Sequence, residues 1–556
     1  MFKSTVATAA LLAVSQGALA QQPPPGAGGQ LQQIPRAPVP EKTAPSFVVE
    51  TPTARAPSAD EGPAILVNSL RVTGQTLFPE AELIATTSFS PGATLSLADL
   101  RNAAAKISAY YHAKGYFLAQ AYLPSQDINA GVVTIAVIEG QYGKIDLNNQ
   151  TNLSDRVARG VLSGLDGGDI VANAPLERRL LLLSDLPGVL VKSTLTPGGS
   201  VGTSDLIVQL TPGDRISGSV EADNAGNRYT GTYRAGGTLN VNNPAGLGDQ
   251  LSLRVLGSSG ELAYGRVAYQ VPVGNITVGA AYARLRYDLG REFSGLDADG
   301  TADIATVYAS YPLIRSRDAN LYALASAEAT WLKDDVGLVS SRSRKKSRAA
   351  TIGLSGDSHD GFGGGGWNAV SLGLTLGELD IRSPLERSAD ALTARTDGGY
   401  GKLEYAAARL QTVSGPLSLY ASIRGQIAFD NLDSSEKMEL GGAYGVRAYP
   451  EGEAYGDEGY IATAEARLTL DPWTGKLPGQ LQAIAFIDVG AVDYAHDPWF
   501  IGRNREKRSG FGGGLIWSGP AGLIVKASYA HKLGDAAVTS GPDRSGRFWF
   551  QVIKLF

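Results

Sequence analysis

The sequence contains no cysteine and only four histidines, and these shortages exclude several kinds of site. Without cysteine the chain forms neither disulfide bonds nor thiolate metal sites. The histidines are His112, His359, His496 and His531. They are spread along the chain, and no two of them are expected to share a site with a nucleophile. The sequence therefore does not predict an enzyme, and it predicts no metal ion and no cofactor.

Strong net charge and long apolar runs are also missing. The chain has 49 basic and 54 acidic residues, a balance that does not suggest a nucleic-acid partner. No run of 18 apolar residues follows residue 20, so a membrane-spanning helix is not expected. Two alternatives remain, a soluble protein or a closed membrane β-barrel, in which every backbone hydrogen bond is also satisfied. The mean hydropathy of −0.06 fits both, because barrel strands bury only alternate side chains in lipid.

The first 63 residues predict no folded domain. Lys3, an apolar run and the small residues Ala18-Leu19-Ala20 have the order of a secretory signal peptide, which we place at residues 1–20. Residues 21–63 hold ten of the 28 prolines among glutamine, alanine and glycine. Proline interrupts helices, and this composition buries little apolar surface. We therefore expect residues 21–63 to form a disordered tether.

Two similar units follow the tether, at residues 64–140 and 141–213. Each has the order strand, two helices and two strands, and each ends in a strand closed by glycine. In the first unit Leu100, Ala103 and Ile107 have the spacing of a buried helix face. A weak repeat of about 75 residues is too long for a solenoid and predicts two small α+β domains in tandem.

From residue 214 onward the helical period is replaced by strict alternation. One face of each segment is apolar and the other carries charge, over about ten residues, which is the pattern of a transmembrane barrel with a wet interior. Short and long polar connections also alternate. We count sixteen segments and predict a 16-stranded barrel over residues 214–556. The segments begin near residues 215, 231, 249, 262, 275, 301, 319, 347, 367, 399, 416, 458, 480, 509, 521 and 546.

The last segment, residues 546–556, carries Phe548, Phe550, Val552 and Phe556 on one face. An outward aromatic strand that ends in phenylalanine resembles the terminal strand recognised by the outer-membrane assembly machinery. Phe556 is therefore the predicted assembly signal. A soluble β-sandwich would also tolerate this pattern.

One arginine stands out in the connection 429–457, which is long enough to be functional or disordered. Arg447 lies there among glycines and tyrosines, so the loop can fold tightly against a wall. A carboxylate is available on the strand at 480–492, where an apolar face on alternate residues forces Asp488 to point into the lumen. We predict that Arg447 and Asp488 form a forked, charge-assisted pair that latches the loop inside the barrel. The alternative is a solvated loop arginine.

These motifs resemble those of a known superfamily. The stretch GVRAYPEGEAYGDEG resembles the V-R-G-[YF] loop of the Omp85 superfamily, and FIDVG resembles its F-x-D-x-G strand. The loop motif then comprises Gly445, Val446, Ala448 and Tyr449 beside Arg447, and the strand motif comprises Phe486 and Gly490 beside Asp488. The family has glycine where this chain has Ala448. Residues 115–140 resemble the first POTRA domain of the two-partner secretion transporters, and residues 223–253 resemble the start of their barrel.

The resemblance implies an outer-membrane transporter whose two POTRA domains lie in the periplasm. They would capture an unfolded exoprotein of the haemolysin or filamentous-adhesin class by its N-terminal secretion domain, and the barrel would conduct it outward. The barrel would contact outer-membrane lipid and lipopolysaccharide and would be inserted by the barrel-assembly machinery. The G-x-x-x-x-G-K-[ST] motif is absent, so no ATP-driven step is expected.

Two alternatives share the barrel. An Omp85-type assembly factor has the same loop and strand motifs but usually more POTRA domains, and a passive porin has no use for periplasmic domains. Transporters of this family often carry an N-terminal helix that plugs the pore. The prolines of residues 21–63 argue against a long helix here.

Overall fold

The computed structural model describes residues 26–38, 46–49, 64–470 and 478–556. The signal peptide expected at residues 1–20 lies outside the described residues. None of the described helices is both long and apolar enough to cross a lipid bilayer.

The elements before residue 214, apart from the helix Ala27–Gln32, form two small α+β domains. The helices are Ala27–Gln32, Glu80–Thr87, Leu97–Ala113, Asp155–Leu162 and Asn173–Ser184. The strands are β1 (Ser46–Val49), β2 (Ile65–Val67), β3 (Ser69–Thr73), β4 (Ala93–Leu95), β5 (Gln120–Tyr122), β6 (Val132–Ile138), β7 (Gln141–Asn149), β8 (Val189–Pro197) and β9 (Thr203–Pro212).

The first domain packs its helices on a sheet with the order β3-β6-β5. A capping box starts its long helix, because Ser96 and Asp99 bond each other's backbone N–H groups. The buried Glu139 carboxylate ties the end of β6 to the start of the domain, accepting hydrogen bonds from Thr76, Leu77 and Tyr111. Burial raises the pKa of Glu139, but these hydrogen bonds outweigh that effect and hold its pKa below the usual range.

The second domain repeats this arrangement with a larger apolar core. Its sheet has the order β1-β8-β9-β7, and leucines of both helices, such as Leu162 and Leu183, belong to its buried core. Strand β1 lies before both domains in the sequence and pairs in parallel with β8. The domain contacts the barrel through Asp185, which pairs with Arg315 at 2.8 Å next to a tight turn between barrel strands.

All remaining strands except one small ribbon belong to the barrel. The strands are β10 (Ile216–Asp223), β11 (Arg234–Asn242), β12 (Gln250–Ser258), β13 (Ala263–Val273), β14 (Ile276–Asp288), β15 (Ala298–Arg315), β16 (Ala319–Val336), β17 (Ser341–Asp360), β18 (Gly366–Ile381), β19 (Gly398–Ser414), β20 (Leu417–Ala428), β21 (Met438–Glu439), β22 (Tyr455–Gly456), β23 (Glu458–Thr469), β24 (Gln480–Asp493), β25 (Arg505–Ser518), β26 (Leu523–Lys532) and β27 (Gly546–Leu555). The ribbon is β21 with β22. One further α-helix among the described residues, Pro384–Leu392, lies between β18 and β19.

The barrel is closed by antiparallel pairing of its first and last strands. Ala222 of β10 lies opposite Val552 of β27, so no sheet edge remains open. Closure leaves sixteen antiparallel strands, and the predicted fold class is confirmed. Alternate residues along β24 are buried and exposed, as the sequence pattern predicted.

Two stretches within residues 21–63 differ from the prediction of a disordered tether. Residues 27–32 form a helix whose first four residues are buried, and residues 46–49 form β1. The prolines do not prevent this, because the helix ends before Pro35 and the chain then needs no helical hydrogen bonds. The prediction of disorder is therefore wrong for these two stretches.

Candidate functional site in the barrel lumen

The connection 429–457 folds back into the barrel instead of extending from it. Its ribbon β21–β22 holds the base, and Val446, Ala448 and Tyr449 are completely buried against the wall. Gly445 permits this tight fold, since a Cβ atom there would lie 2.2 Å from the carbonyl oxygen of Gly441. The loop is thus a packed part of the lumen.

Arg447 binds Asp488 in the forked geometry that the sequence suggested. Its Nε and Nη2 atoms donate to the two carboxylate oxygens of Asp488, each at 2.8 Å, and its backbone N–H donates to the same group at 3.2 Å. The side chains are 14% and 1% exposed. Bidentate ionic hydrogen bonds of this kind are stronger than neutral ones and fix orientation.

Three wall residues complete the site around this pair. Glu465 on β23 accepts a hydrogen bond from Arg447 Nη1 at 3.2 Å, and Thr463 donates to Asp488 at 2.9 Å. The ring of Phe486 lies 3.3 Å from the guanidinium carbon, an arrangement that favours the cation. Thr463 and Glu465 were not predicted as site residues, although the alternation of β23 already placed both on its polar face.

Two further motif residues with small side chains, Gly490 and Ala448, also make close contacts. A Cβ atom at Gly490 would lie 2.5 Å from Leu440 of the loop. At Gly510 of β25 a Cβ atom would lie 2.5 Å from the methyl group of Ala448. Ala448, which replaces the glycine of the family motif, therefore fits because the wall opposite it is glycine.

The last strand also contacts the loop. The Nε1–H group of Trp549 donates to the carbonyl oxygen of Arg447 at 2.6 Å, so Trp549 points inward. Phe548 and Phe550 beside it are exposed on the outer face. Phe556 follows β27, and its backbone exchanges two hydrogen bonds with Gly218 at the barrel seam.

A second ion pair anchors the loop farther along the chain. Arg508 of β25 donates to Glu453 at 2.6 and 3.0 Å, and the two side chains are 2% and 0% exposed. The other oxygen of Glu453 accepts hydrogen bonds from the backbone of Thr539 and Ser540. This pair was not predicted from the sequence, because 55 residues separate its members.

The N-terminal segment, which we define as residues 26–38, shares the lumen with the loop. Arg234 donates to the carbonyl oxygen of Gln33 at 2.9 Å, and Arg254 donates to that of Pro35 at 3.1 Å. Each arginine is also paired within the wall, Arg234 with Asp223 and Arg254 with Glu221. Nothing in the sequence of the segment pointed to these contacts.

The helix of the segment is fixed at both ends. The backbone N–H of Ala27 donates to Asp334 at 2.7 Å, and the side chain of Gln33 contacts the Tyr455 hydroxyl at 2.5 Å. Gln32 bonds the backbone of Ser435 in the loop. The segment and the loop therefore pack on each other as well as on the wall.

The described residues contain no cluster of three or more histidine, cysteine, aspartate or glutamate side chains arranged to hold a metal ion.

Comparisons with known proteins agree with this architecture. The model of the haemolysin secretion/activation protein family ShlB/FhaC/HecB matches residues 202–499, and that of the ShlB-type POTRA domain matches residues 65–140. The chain belongs to this family. Its members are transporters, not enzymes, and the chain is an outer-membrane transporter of two-partner secretion with POTRA structure on the periplasmic side.

Individual relatives cover most of the chain. The heme/hemopexin transporter protein HuxB of Haemophilus influenzae strain 86-028NP is 29% identical over 84% of this chain and 82% of its own. The outer membrane transporter CdiB of Dickeya dadantii is 24% identical over 91% of this chain and 87% of its own. The solved structure of CdiB from Escherichia coli has a TM-score of 0.70 at 21% identity, covering 91% of this chain and 93% of its own, and shares the fold.

Proposed function

We propose that this transporter exports one large protein of the haemolysin or filamentous-adhesin class through its barrel in an unfolded state. The observation that supports this most is the loop 429–457, which occupies the lumen and is held there by the buried pairs of Arg447 and Arg508. A loop that occupies the lumen in the absence of substrate is what we expect of a transporter whose pore opens only for its own exported protein. A passive porin would need no such loop and no periplasmic domains.

Arg447 and Asp488 form the latch of this loop. An exposed ion pair contributes only about 0 to 1 kcal/mol, whereas removing one partner of a desolvated pair costs roughly 3 to 5 kcal/mol. With side-chain exposures of 14% and 1%, the pair lies nearer the second limit. The latch holds the loop in one position against the wall, and export requires that position to change.

The two domains before the barrel capture the N-terminal secretion domain of the exported protein. Strand addition suits this step, because an extended peptide that pairs with a sheet edge gains affinity from main-chain hydrogen bonds before it folds. The sequence lacks the G-x-x-x-x-G-K-[ST] motif, so ATP does not drive export. Folding of the exported protein outside the cell makes its outward movement favourable instead.

The outer surface of the barrel serves insertion and lipid contact. Phe548, Phe550 and Phe556 are exposed at the last strand, where the barrel-assembly machinery would recognise them. Arg284 and Arg286 are exposed and alternate with the buried residues of β14, and each lies near an aspartate, Asp303 at 3.6 Å and Asp288 at 3.9 Å. Cationic side chains at this end of β14 would bind the phosphate groups of lipopolysaccharide.

A deletion strain tests the proposal. Removing the gene should eliminate one large protein from the culture medium and cell surface, and the full chain should restore it. If many outer-membrane proteins decreased together, an assembly factor would be the correct function. A purified barrel in proteoliposomes should translocate the unfolded secretion domain of that protein without ATP.

A further inference from the structure

Four basic side chains follow one another on the outer face of β17. Lys345 of this strand points into the lumen, where its Nζ atom binds Asp433 of the loop 429–457 at 2.7 Å. Successive side chains of a strand point to opposite faces, so the even-numbered residues at the start of β17 point outward. They are Arg342, Arg344, Lys346 and Arg348. Neighbouring cations repel each other unless an anion lies between them.

Three of these cations have no carboxylate partner among the residues that the structure describes. Arg342 lies 3.7 Å from Asp335 and is the exception. Asp380 lies opposite Lys346 in the register of β17 and β18, but it is bound by Arg382 at 3.0 Å. The three cations that remain for an external anion are Arg344, Lys346 and Arg348.

A groove of about 780 Å³ begins beside these cations and extends over β14 to β18. The volume is within the range of about 300 to 1,000 Å³ that is usual for ligand sites. Val307 and Leu376, each 58% exposed, and the rim residues Arg348 and Glu378 line it. The floor consists of outward-facing alanines, namely Ala280, Ala305, Ala327, Ala329 and Ala350.

The groove lies on the lipid-facing side of the barrel. Asp334 of β16 points into the lumen, because it accepts a hydrogen bond from the backbone of Ala27. The alanines of β16 that line the groove, Ala327 and Ala329, have the opposite phase. The next inward residues, such as Thr330, do not line it. The floor is therefore open to the acyl chains of the membrane.

The cations lie at the outer end of the barrel. Arg317, in the turn between β15 and β16, pairs with Glu177 of the second periplasmic domain at 3.3 Å. The opposite end of these strands, where β17 begins, therefore faces the cell exterior. Trp331 and Tyr282 are exposed at the border between the alanines and the cations. Outward aromatic residues mark the membrane–water interface, so the cations lie at the level of lipid head groups.

We propose that the groove and the three cations form a site for a phosphorylated lipid of the outer leaflet, with the chemistry of lipopolysaccharide. One acyl chain lies on the alanine floor, and phosphate groups bind Arg344, Lys346 and Arg348. This inference deepens the lipid contact of the proposed function and rests on the outer-membrane orientation given there. It assigns that contact to a defined site on β17, separate from Arg284 and Arg286.

The arrangement of the cations favours this lipid over a phospholipid. Outward residues of one strand are spaced about 6.6 Å apart, so Arg344 and Arg348 are separated by about 13 Å. A disaccharide that carries two phosphates can reach both ends of this row, whereas a lipid with one phosphate contacts only part of it. Arginine binds phosphate in a forked geometry, which adds to the charge attraction. Glu378 lies opposite Arg348, so we expect the strongest phosphate contact at Arg344 and Lys346.

Titration of the detergent-solubilised full chain with purified lipid A, followed by native mass spectrometry, tests the cations. The triple variant Arg344→Gln, Lys346→Gln, Arg348→Gln should bind lipid A at least about tenfold more weakly than the wild type, because ionic hydrogen bonds are lost. The matched control Arg503→Gln, Arg505→Gln, Lys507→Gln removes the same charge at the outer end of β25 and should bind like the wild type.

A second pair of variants tests the groove without changing any charge. Ala327→Phe fills the floor and should weaken lipid A binding about fivefold, since one or two methylene groups of the acyl chain lose their contact. Ala323→Phe places the same side chain on the same outward face, four residues toward the periplasm and outside the groove. It should bind like the wild type. Folded mobility in gel electrophoresis checks that each variant forms the barrel.

The wild type alone separates the possible ligands. Dephosphorylated lipid A should bind at least about tenfold more weakly than lipid A, and inorganic phosphate should not displace lipid A, because it has no acyl chain. Equal binding of the phosphorylated and dephosphorylated forms, or of lipid A by the wild type and the triple variant, would overturn the proposal. Displacement of lipid A by an equal concentration of phosphatidylglycerol would overturn the assignment to lipopolysaccharide.

Failure of this proposal is distinguishable from failure of the proposed function. A groove variant Ala327→Phe that binds lipid A like the wild type would show that the alanine floor holds no acyl chain, and the exporter function would stand. A deletion strain that loses no secreted protein would contradict the exporter function and would leave the lipid measurements unaffected.

Discussion

Two segments enter the lumen of this barrel, and they are held in different ways. The loop 429–457 brings its own charge, Arg447, which binds a carboxylate that is 1% exposed on the wall. The N-terminal segment 26–38 offers mainly backbone carbonyl groups to Arg234 and Arg254, which are already paired with wall carboxylates.

The difference indicates an order of release. Withdrawing the loop would strand buried charges on the wall, which is costly. Withdrawing the N-terminal segment would leave the pairs of Arg234 with Asp223 and of Arg254 with Glu221 intact, so only neutral or singly charge-assisted hydrogen bonds are lost. We therefore expect the N-terminal segment to leave the pore more easily than the loop.

The largest effect should come from the most buried loop anchor. Glu453→Ala leaves Arg508 without its main partner in a site that is 0 to 2% exposed, and we expect a loss of roughly 3 to 5 kcal/mol in the free energy of unfolding. The measurement is the temperature at which the barrel loses its folded mobility in gel electrophoresis.

The matched control for this change is Glu506→Ala. Glu506 pairs with the same arginine but is 23% exposed, so its removal should cost no more than about 1 kcal/mol. Equal shifts for the two variants would mean that burial does not set the strength of these pairs.

Replacing residues 26–38 with a Gly-Ser sequence of equal length should have a smaller effect on stability and a larger one on permeability. We expect the barrel to stay within about 1 to 2 kcal/mol of the wild type. Hydrogen bonds to charged groups contribute about 1.5 to 3 kcal/mol each, but water replaces the lost carbonyl groups and both arginines keep their carboxylate partners. Influx of large antibiotics into cells should rise. A strongly destabilised barrel, or unchanged influx, would contradict the distinction between the two segments.

The smallest effect should come from adding a single methyl group to the N-terminal segment by a Gly→Ala change. A Cβ atom at Gly28 would lie 2.6 Å from the backbone nitrogen of Ser435, whereas the nearest atom at Gly29 is the Tyr455 hydroxyl at 3.7 Å. Gly28→Ala should therefore loosen the segment and raise antibiotic influx slightly. Gly29→Ala should not, although both changes increase helix propensity by about 1 kcal/mol.

The barrel was predictable from the sequence because alternation is a local property. The largest error in a strand start is at β17, which begins at Ser341 and not near residue 347. Its first residues, Ser-Arg-Ser-Arg-Lys-Lys, carry no apolar face, so the membrane pattern begins later than the strand. Backbone hydrogen bonds define the strand at these first residues, but their side chains do not alternate between apolar and polar, so the start of the strand was predicted too late.

Residues of the lumen were predictable only where a sequence motif, or the alternation of side chains along a strand, indicated that they point inward. Asp488 was expected inside the barrel because its neighbours on β24 are apolar on the opposite face. The segment 26–38 was missed because its contacts come from Arg234 and Arg254, about 200 residues away. The proline-rich composition indicated disorder. An extended chain can nevertheless be ordered when arginine side chains of the surrounding barrel wall donate hydrogen bonds to its carbonyl groups.

The central claim, that Arg447 and Asp488 act together as a latch for export, is tested most directly by a double-mutant cycle. We expect Arg447→Ala to insert normally into the outer membrane, supported by the sixteen paired strands, and to lower export of the partner protein at least about tenfold, which corresponds to roughly 1.4 kcal/mol. Asp488→Ala should act similarly or more weakly, because Glu465 still binds the arginine. The double variant should export no worse than Arg447→Ala alone, since the lost interaction is shared. Fully additive losses would show that the two residues act independently and would contradict the latch.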